Sequence, residues 1–232
     1  MSWINICLLV VAAIDFLLAV LILSRNPRNK INISFALSVF FVSLWTLGVT
    51  MFREMDDVAS ALFWTYFQNW FGGLVVIPLY FFSLYFPYIK KVPTSRIYIS
   101  ITASIIFLAY IVFIPNVWVV QILLQPHTNN YILNRFGAAL FAVYFCGYLV
   151  LVFKNLLSKF FTSGGSHKKA LKKIILGIGF FGFFGTIFAV LSPVFFGSDV
   201  AVWVGPFFSL ILVLYIIHFL FPFSFFTLKR DG

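Results

Sequence analysis

Seven long apolar runs constrain this sequence more than any other feature. A helix needs about 20 apolar residues to cross the hydrocarbon core of a bilayer, and these runs have about that length. They extend over residues 4–24, 31–52, 59–86, 96–114, 133–157, 171–193 and 200–221. The sequence therefore predicts an all-α integral membrane protein, in which residues 1–232 form a single seven-transmembrane helix bundle.

The overall composition excludes the soluble classes of protein. Hydrophobic residues make up 62% of the chain and charged residues only 9%, against roughly 45–50% and about 25% in soluble domains. A water-soluble protein of this size has no place for so much apolar side chain, because water must solvate its surface. We expect the first run to be a membrane span rather than a cleaved signal peptide, because its basic residues follow it.

Basic residues mark one face of the predicted bundle. The formal net charge is +10, from 16 Lys and Arg residues against six Asp and Glu residues. Fourteen of the 16 lie on one side, including Lys154 and Lys159 in the predicted linker between runs 5 and 6, whereas Arg53 and Arg135 lie on the other. Because Lys and Arg concentrate in cytoplasmic loops, the N-terminus is predicted outside and the C-terminus in the cytoplasm. The chain is then a multi-pass protein of the cell (inner) membrane, and its charge does not indicate nucleic-acid binding.

A few polar and aromatic residues lie deep in the predicted spans. Asp15 is the one carboxylate within a span, and a charge there costs roughly 2.5–3.5 kcal/mol, so we expect it to face the bundle interior. Gln68 and Asn69 lie at a similar depth, and we expect one of them to hydrogen-bond Asp15. Trp45 and Trp70 also lie deeper than the other tryptophans. These five residues form a hypothetical ligand site, although a purely structural role is equally compatible with the sequence.

Patterns typical of catalysis or of cofactor binding do not fit this sequence. A Gly-x-Gly-x-x-Gly spacing lies inside an apolar run without the preceding strand that a dinucleotide site needs, and in a membrane helix it favours close packing. Run 7 has no lysine for a retinal Schiff base. The histidines lie on opposite faces and cannot converge on one metal ion. We therefore predict no enzyme activity, no catalytic residue, no metal and no cofactor. The glycines are Gly177, Gly179, Gly182 and Gly185, and the histidines are His127, His167 and His218.

Two further features concern the predicted outer face. Pro206 lies near the outer end of run 7, where a proline produces a kink or a helix end, and it is our candidate relay point for a signal. The segment 115–130 joins runs 4 and 5. It is apolar enough to lie in the membrane interface or to fold over the bundle as a lid.

Several stretches, in the same order, resemble one family, the N-terminal seven-transmembrane sensor region of bacterial sensor histidine kinases. The resemblance extends over nearly the whole chain. It is carried by NPRNKIN at 26–32 with Phe35, WTLG at 45–48, ALFW at 61–64 with Gln68, Gly72 and Pro78, KKIILG at 172–177, and GPF at 205–207 with Tyr215.

This resemblance implies a membrane sensor or receptor that passes an unidentified signal to a cytoplasmic kinase or another signalling effector. The family's catalytic residues lie in cytoplasmic domains of on the order of 200 residues, far more than the residues 222–232 that follow run 7 here. We therefore expect either the sensory part of a longer protein or a free-standing relative that acts through a partner. Homodimerisation is left open. The alternatives are a small-solute or lipid transporter, for which a polar path to both faces is expected, and a ligand-free scaffold subunit.

Overall fold

A computed structural model describes residues 1–88, 93–197, 199 and 201–220, and this part of the chain is almost entirely helical. Two π-helical segments, 178–182 and 187–191, interrupt the helices of the sixth run, and a 3-10 turn precedes the last helix. The α-helices are α1 Trp3–Arg25, α2 Lys30–Glu54, α3 Val58–Leu74, α4 Val76–Tyr85, α5 Thr94–Phe113, α6 Arg135–Thr162, α7 Gly165–Gly177, α8 Phe183–Thr186, α9 Ser192–Phe196 and α10 Gly205–Leu220.

Five helical segments of the described chain are long and apolar enough to cross a membrane, which fits the predicted all-α membrane protein. They are Trp3–Arg25, Lys30–Glu54, Val58–Tyr85, Arg135–Thr162 and Gly165–Phe196. The other two predicted spans correspond to shorter apolar helices, Ile97–Phe113 and Val202–His218. The end of the seventh predicted span, residue 221, lies outside the described residues.

Hydrogen bonds from asparagines fix the turn between α1 and α2. The Asn29 side chain accepts a hydrogen bond from the backbone N–H of Ile31 at 2.9 Å and so caps α2. The Asn32 side-chain amide donates to the carbonyl oxygen of Ile22, near the end of α1, at 3.4 Å. The polar residues of the NPRNKIN stretch therefore satisfy backbone groups at two adjoining helix ends.

Prolines explain where the third and sixth runs depart from a continuous α-helix. Pro78 lacks the N–H that would bond to the carbonyl of Leu74, and the third run breaks at Val75 between α3 and α4. The Ser38 hydroxyl from α2 donates to the carbonyl oxygen of Val75 at 3.1 Å, so a neighbouring helix pairs this backbone group. In the sixth run, the π segment 187–191 ends two residues before Pro193.

A β-hairpin replaces the irregular segment expected between runs 4 and 5. Strands β1 Val119–Leu123 and β2 Asn130–Leu133 pair antiparallel, with Leu123 opposite Asn130. Leu133, predicted as the first residue of the fifth span, therefore belongs to a strand. The helix α6 begins at Arg135, where the Asn134 side chain accepts the N–H of Phe136 at 2.9 Å. We call the side of the bundle that carries β1 and β2 the hairpin end.

The described α6 continues through the region predicted as a basic linker. It extends to Thr162, and α7 begins at Gly165, so Lys154 and Lys159 are helical residues. Lys154 is exposed, whereas Lys159 is buried among apolar residues. The Lys159 ammonium donates hydrogen bonds to the carbonyl oxygens at the end of α4, so the lysine stabilises a helix terminus instead of facing solvent.

Candidate functional site

An elongated cavity lies between α2, the α3–α4 pair, α6, the sixth run and α10. Its volume is about 120 Å³, whereas a single water molecule needs only about 10–15 Å³ by the same measure. On α2 its lining extends from Phe35 to Trp45, which at 1.5 Å per residue is about 15 Å along the helix. Most of the wall is aliphatic or aromatic, as in Val39, Leu79, Leu149, Ile178, Val213 and Ile216.

Gln68 and Asn69 provide amide groups to the cavity at the level of Trp45. Gln68 is only 1% exposed, and its Nε2 donates to the Tyr131 hydroxyl at 3.4 Å. The Asn69 Nδ2 donates to the carbonyl oxygen of Thr65 at 2.7 Å and to the same hydroxyl at 3.4 Å. The Gln68 Oε1, however, is buried without any hydrogen-bond partner. Buried acceptors in proteins are nearly always paired, so this oxygen retains the capacity to accept a hydrogen bond.

Glycines on neighbouring helices hold Gln68 and Trp45 in place. A Cβ atom added at Gly48 would lie 2.8 Å from the Cβ of Gln68, so α2 and α3 approach each other this closely only because residue 48 is glycine. The Trp45 ring lies against two more glycines. A Cβ at Gly72 would be 3.1 Å from its Cδ1, and a Cβ at Gly205 would be 2.7 Å from its Cη2. Both side chains are thus held by backbone that a larger residue would displace.

The Gly-x-Gly-x-x-Gly spacing of the sixth run has two different roles. At Gly177 an added Cβ would lie 2.7 Å from the Tyr215 ring, which confirms the predicted close helix packing at this position. Gly182 and Gly185 instead line the cavity. A Cβ added at Gly182 would lie 3.6 Å from the Cγ2 of Ile178, and one at Gly185 would lie 3.8 Å from the Cβ of Phe208. These two glycines therefore leave part of the cavity empty that larger side chains would fill.

The structure brings together three of the five residues of the hypothetical ligand site. Trp45, Gln68 and Asn69 line one cavity, whereas Asp15 and Trp70 are not among its lining residues. The Asp15 carboxylate is fully buried, and neither of its oxygens has a hydrogen-bond partner. The predicted hydrogen bond from Asp15 to Gln68 or Asn69 is therefore wrong. The Trp70 ring packs on Phe113 of α5, with ring centroids 5.1 Å apart.

Pro206, the candidate relay residue, is the second residue of α10. A proline is readily accommodated there because the first N–H groups of a helix have no intrahelical partner. Pro206 therefore begins a helix and does not kink one. It follows Gly205, the residue that contacts Trp45, so it lies next to the cavity wall.

Tyr131 connects the hairpin to the cavity, and no feature of the sequence indicates this role. Its side chain is 1% exposed, and its hydroxyl accepts the two amide hydrogen bonds from Gln68 and Asn69. Its backbone N–H donates to Asp199 Oδ1 at 2.8 Å. Burial raises the pKa of the Asp199 carboxyl to about 7, against the opposing effects of the Tyr131 hydrogen bond and the Arg53 charge.

A second polar cluster lies at the hairpin end of the bundle. The Glu54 carboxylate accepts hydrogen bonds from the Asn5 side chain and from the Ser2 N–H, and it lies 2.7 Å from the His127 Nδ1. The Arg53 Nε donates to the Asn5 Oδ1 at 2.8 Å. These contacts join the start of α1, the end of α2 and the hairpin turn. The described residues contain no group of three or more His, Cys, Asp and Glu side chains placed to hold a metal ion.

Comparison of the chain with protein families, with curated proteins and with solved structures gives no match. The function of this chain is therefore inferred from the geometry of the cavity and of the elements around it.

Proposed function

We propose that this chain is a membrane-embedded sensor that passes a signal from its cavity to a cytoplasmic effector, such as a kinase. Its seven helical runs then span the inner membrane of a bacterium, with the N-terminus outside and the C-terminus in the cytoplasm. The five long apolar segments and the two shorter ones support this topology, as does the placement of 14 of the 16 basic residues on one side. In this orientation the hairpin end faces outward.

The cavity is the observation that carries the proposal. Its amide groups, from Gln68 and Asn69, lie toward the hairpin end, whereas Leu149, Ile178 and Ile216 line its deeper part. A transporter needs a path that polar solutes can follow to both faces, and these deep lining residues are apolar. The other polar side chains of the wall, Ser38, Thr186 and Ser209, donate their hydroxyls to backbone carbonyl oxygens. A cavity whose amide groups lie at one end only supports sensing over transport.

The walls of the cavity also provide a route for output. A ligand in it contacts α10 through Leu212, Val213 and Ile216, and α10 leads into residues 221–232, the predicted cytoplasmic tail. A ligand shifts a conformational equilibrium only if it binds two helix arrangements with different affinity. We place the change between these arrangements at α10, with Pro206 at its start.

The test uses the protein purified from its native membranes with its associated proteins and reconstituted in nanodiscs. We expect a kinase to co-purify, and its autophosphorylation to change when Gly185→Leu fills the cavity. Gly147→Leu is the matched control, because Gly147 is exposed on α6 and an added Cβ there meets nothing within 4 Å. Equal kinase activity in the two variants, or solute uptake by the chain alone in liposomes, would overturn the proposal.

A further inference from the structure

We propose that the cavity binds an uncharged amphiphile, with an apolar chain along the helices and a hydroxyl head group that donates a hydrogen bond to the Gln68 Oε1. This inference depends on the proposed function, because it assumes that the cavity is the ligand site. It adds the chemical class of the ligand and its orientation. The head group lies toward the hairpin end, beside Trp45, and the chain extends toward Ile216.

The shape and lining of the cavity indicate the apolar part of the ligand. The cavity follows α2 for about 15 Å between Phe35 and Trp45, which suits an extended chain better than a compact solute. Val39, Leu79 and Ile178 are among the side chains that surround this length. Burying a hydrocarbon chain among such residues is favourable in proportion to the apolar area that leaves water.

The polar end of the cavity indicates a hydrogen-bond donor. The Gln68 Nε2 already donates to the Tyr131 hydroxyl, and the Asn69 Nδ2 donates both to Thr65 and to that hydroxyl. The Gln68 Oε1, buried and without a partner, is an acceptor. A ligand atom that pairs with this oxygen must therefore carry a hydrogen, as a hydroxyl does and an ether or ester oxygen does not.

The charge of the cavity wall indicates a neutral ligand. None of the described residues that line the cavity is Asp, Glu, Lys, Arg or His. A carboxylate, phosphate or ammonium group would lose its hydration there without gaining a counter-ion, which is costly in an apolar environment. A hydroxyl loses much less, and its hydrogen bond to the Gln68 Oε1 more than offsets that loss, because this acceptor is already buried without a partner.

The test compares four probes with the same twelve-carbon chain in nanodiscs: dodecanol, dodecyl methyl ether, dodecane and dodecanoate. Each competes with 2-bromododecanol, whose bromine lies next to the hydroxyl group and therefore quenches the fluorescence of Trp45 beside the head group. Trp45→Phe identifies that part of the signal. We expect dodecanol to compete about tenfold better than the ether or dodecane, the value of one hydrogen bond to a buried acceptor. We expect dodecanoate to compete no better than dodecane.

Amino-acid substitutions distinguish the contribution of the head-group hydrogen bond from that of the cavity as a whole. Gln68→Met removes the acceptor at nearly constant volume, and we expect it to bind dodecanol and dodecane equally. The control Gln121→Leu changes an exposed glutamine of β1 and is expected to keep the preference. Gly185→Leu is expected to abolish competition by every probe, whereas Gly147→Leu leaves it intact.

Different outcomes overturn different statements. Equal competition by dodecanol, ether and dodecane in the unchanged protein refutes the hydroxyl donor, and this comparison needs no variant to fold. Stronger competition by dodecanoate refutes the uncharged ligand. If quenching is saturable and unaffected by Gly185→Leu, the cavity is not the ligand site, and the proposed function fails together with the inference.

Discussion

Replacing Lys159 by methionine tests how much one buried lysine contributes to the stability of the bundle. The Lys159 Nζ donates to the carbonyl oxygens of Ser83, Leu84 and Phe86 at 3.1, 2.6 and 2.7 Å. The last carbonyl groups of a helix have no intrahelical partner, and those of Ser83 and Leu84 belong to the final turn of α4, which ends at Tyr85. One ammonium on α6 therefore pairs three backbone oxygens at this terminus.

The expected loss follows from these three bonds. Methionine keeps the apolar stem of the side chain, so the change removes mainly the charge and its hydrogen bonds. A hydrogen bond to a charged group contributes roughly 1.5–3 kcal/mol, and the three are not additive because they share one donor group. We expect Lys159→Met to lower the free energy of unfolding by about 3–4 kcal/mol.

The assay is unfolding in mixed micelles, followed by circular dichroism, with Lys154→Met as the matched control. Lys154 lies on the same helix and is exposed, so its replacement should change the free energy of unfolding by less than about 0.5 kcal/mol. Lys159→Arg should give an intermediate loss, because a planar guanidinium fits three converging carbonyls poorly. A loss in Lys159→Met no greater than in Lys154→Met would refute the reasoning.

Three further predictions concern the hairpin end. Asn129→Ala removes the side-chain hydrogen bonds to the carbonyl oxygens of Phe52 and Met55, and we expect about 2 kcal/mol of destabilisation, with faster amide hydrogen exchange in β1 and β2. Gly205→Ala would place a Cβ 2.7 Å from the Trp45 ring; we expect about 1–3 kcal/mol of destabilisation and a shifted tryptophan emission. The pKa of Asp199 is raised in the folded state to about 7, so the stabilisation from its bound proton is full below about pH 4 and is lost as the pH rises through 7. The measurement is thermal unfolding of the unchanged protein and of Asp199→Asn at several pH values. We expect the variant to lose less stability than the unchanged protein between pH 4 and 8. Parallel pH profiles of the two proteins would contradict this prediction.

The length of the apolar runs predicts the helices of this chain well. A helix that crosses a bilayer needs about 20 consecutive apolar residues, and such a run can be read directly from the sequence. The hairpin is not predictable from the sequence, because its strands have only five and four residues, too few for alternation to distinguish them from a loop. Lys159 follows the end of the apolar run 133–157, so the sequence predicts a linker there, and lysine is rarely buried. Only the position of the α4 end relative to α6, a tertiary contact, explains its burial.

The sequence predicts which residues of the candidate site lie at the same depth in the membrane. It does not predict which helices are neighbours, and therefore which of these residues meet. Trp45, Gln68 and Asn69 lie at one level of the bundle, and the structure places them in one cavity. Asp15 lies on α1, which packs on α2 and α10, so equal depth does not bring it to the amides of α3. The contact of Tyr131 with the cavity depends on a strand pairing that the sequence does not reveal.

The two π segments make the sixth run tolerant of a change in chain length. Hydrogen bonds in a π-helix join residues i and i+5, so each segment holds one residue more than an α-helical turn needs. Deleting one residue within 178–182 would convert that turn to α geometry and leave α7 and α8 facing their present neighbours. The same deletion in α2 would rotate all following residues by about 100° around the helix axis. A one-residue deletion here would therefore leave Gly177 packed against Tyr215.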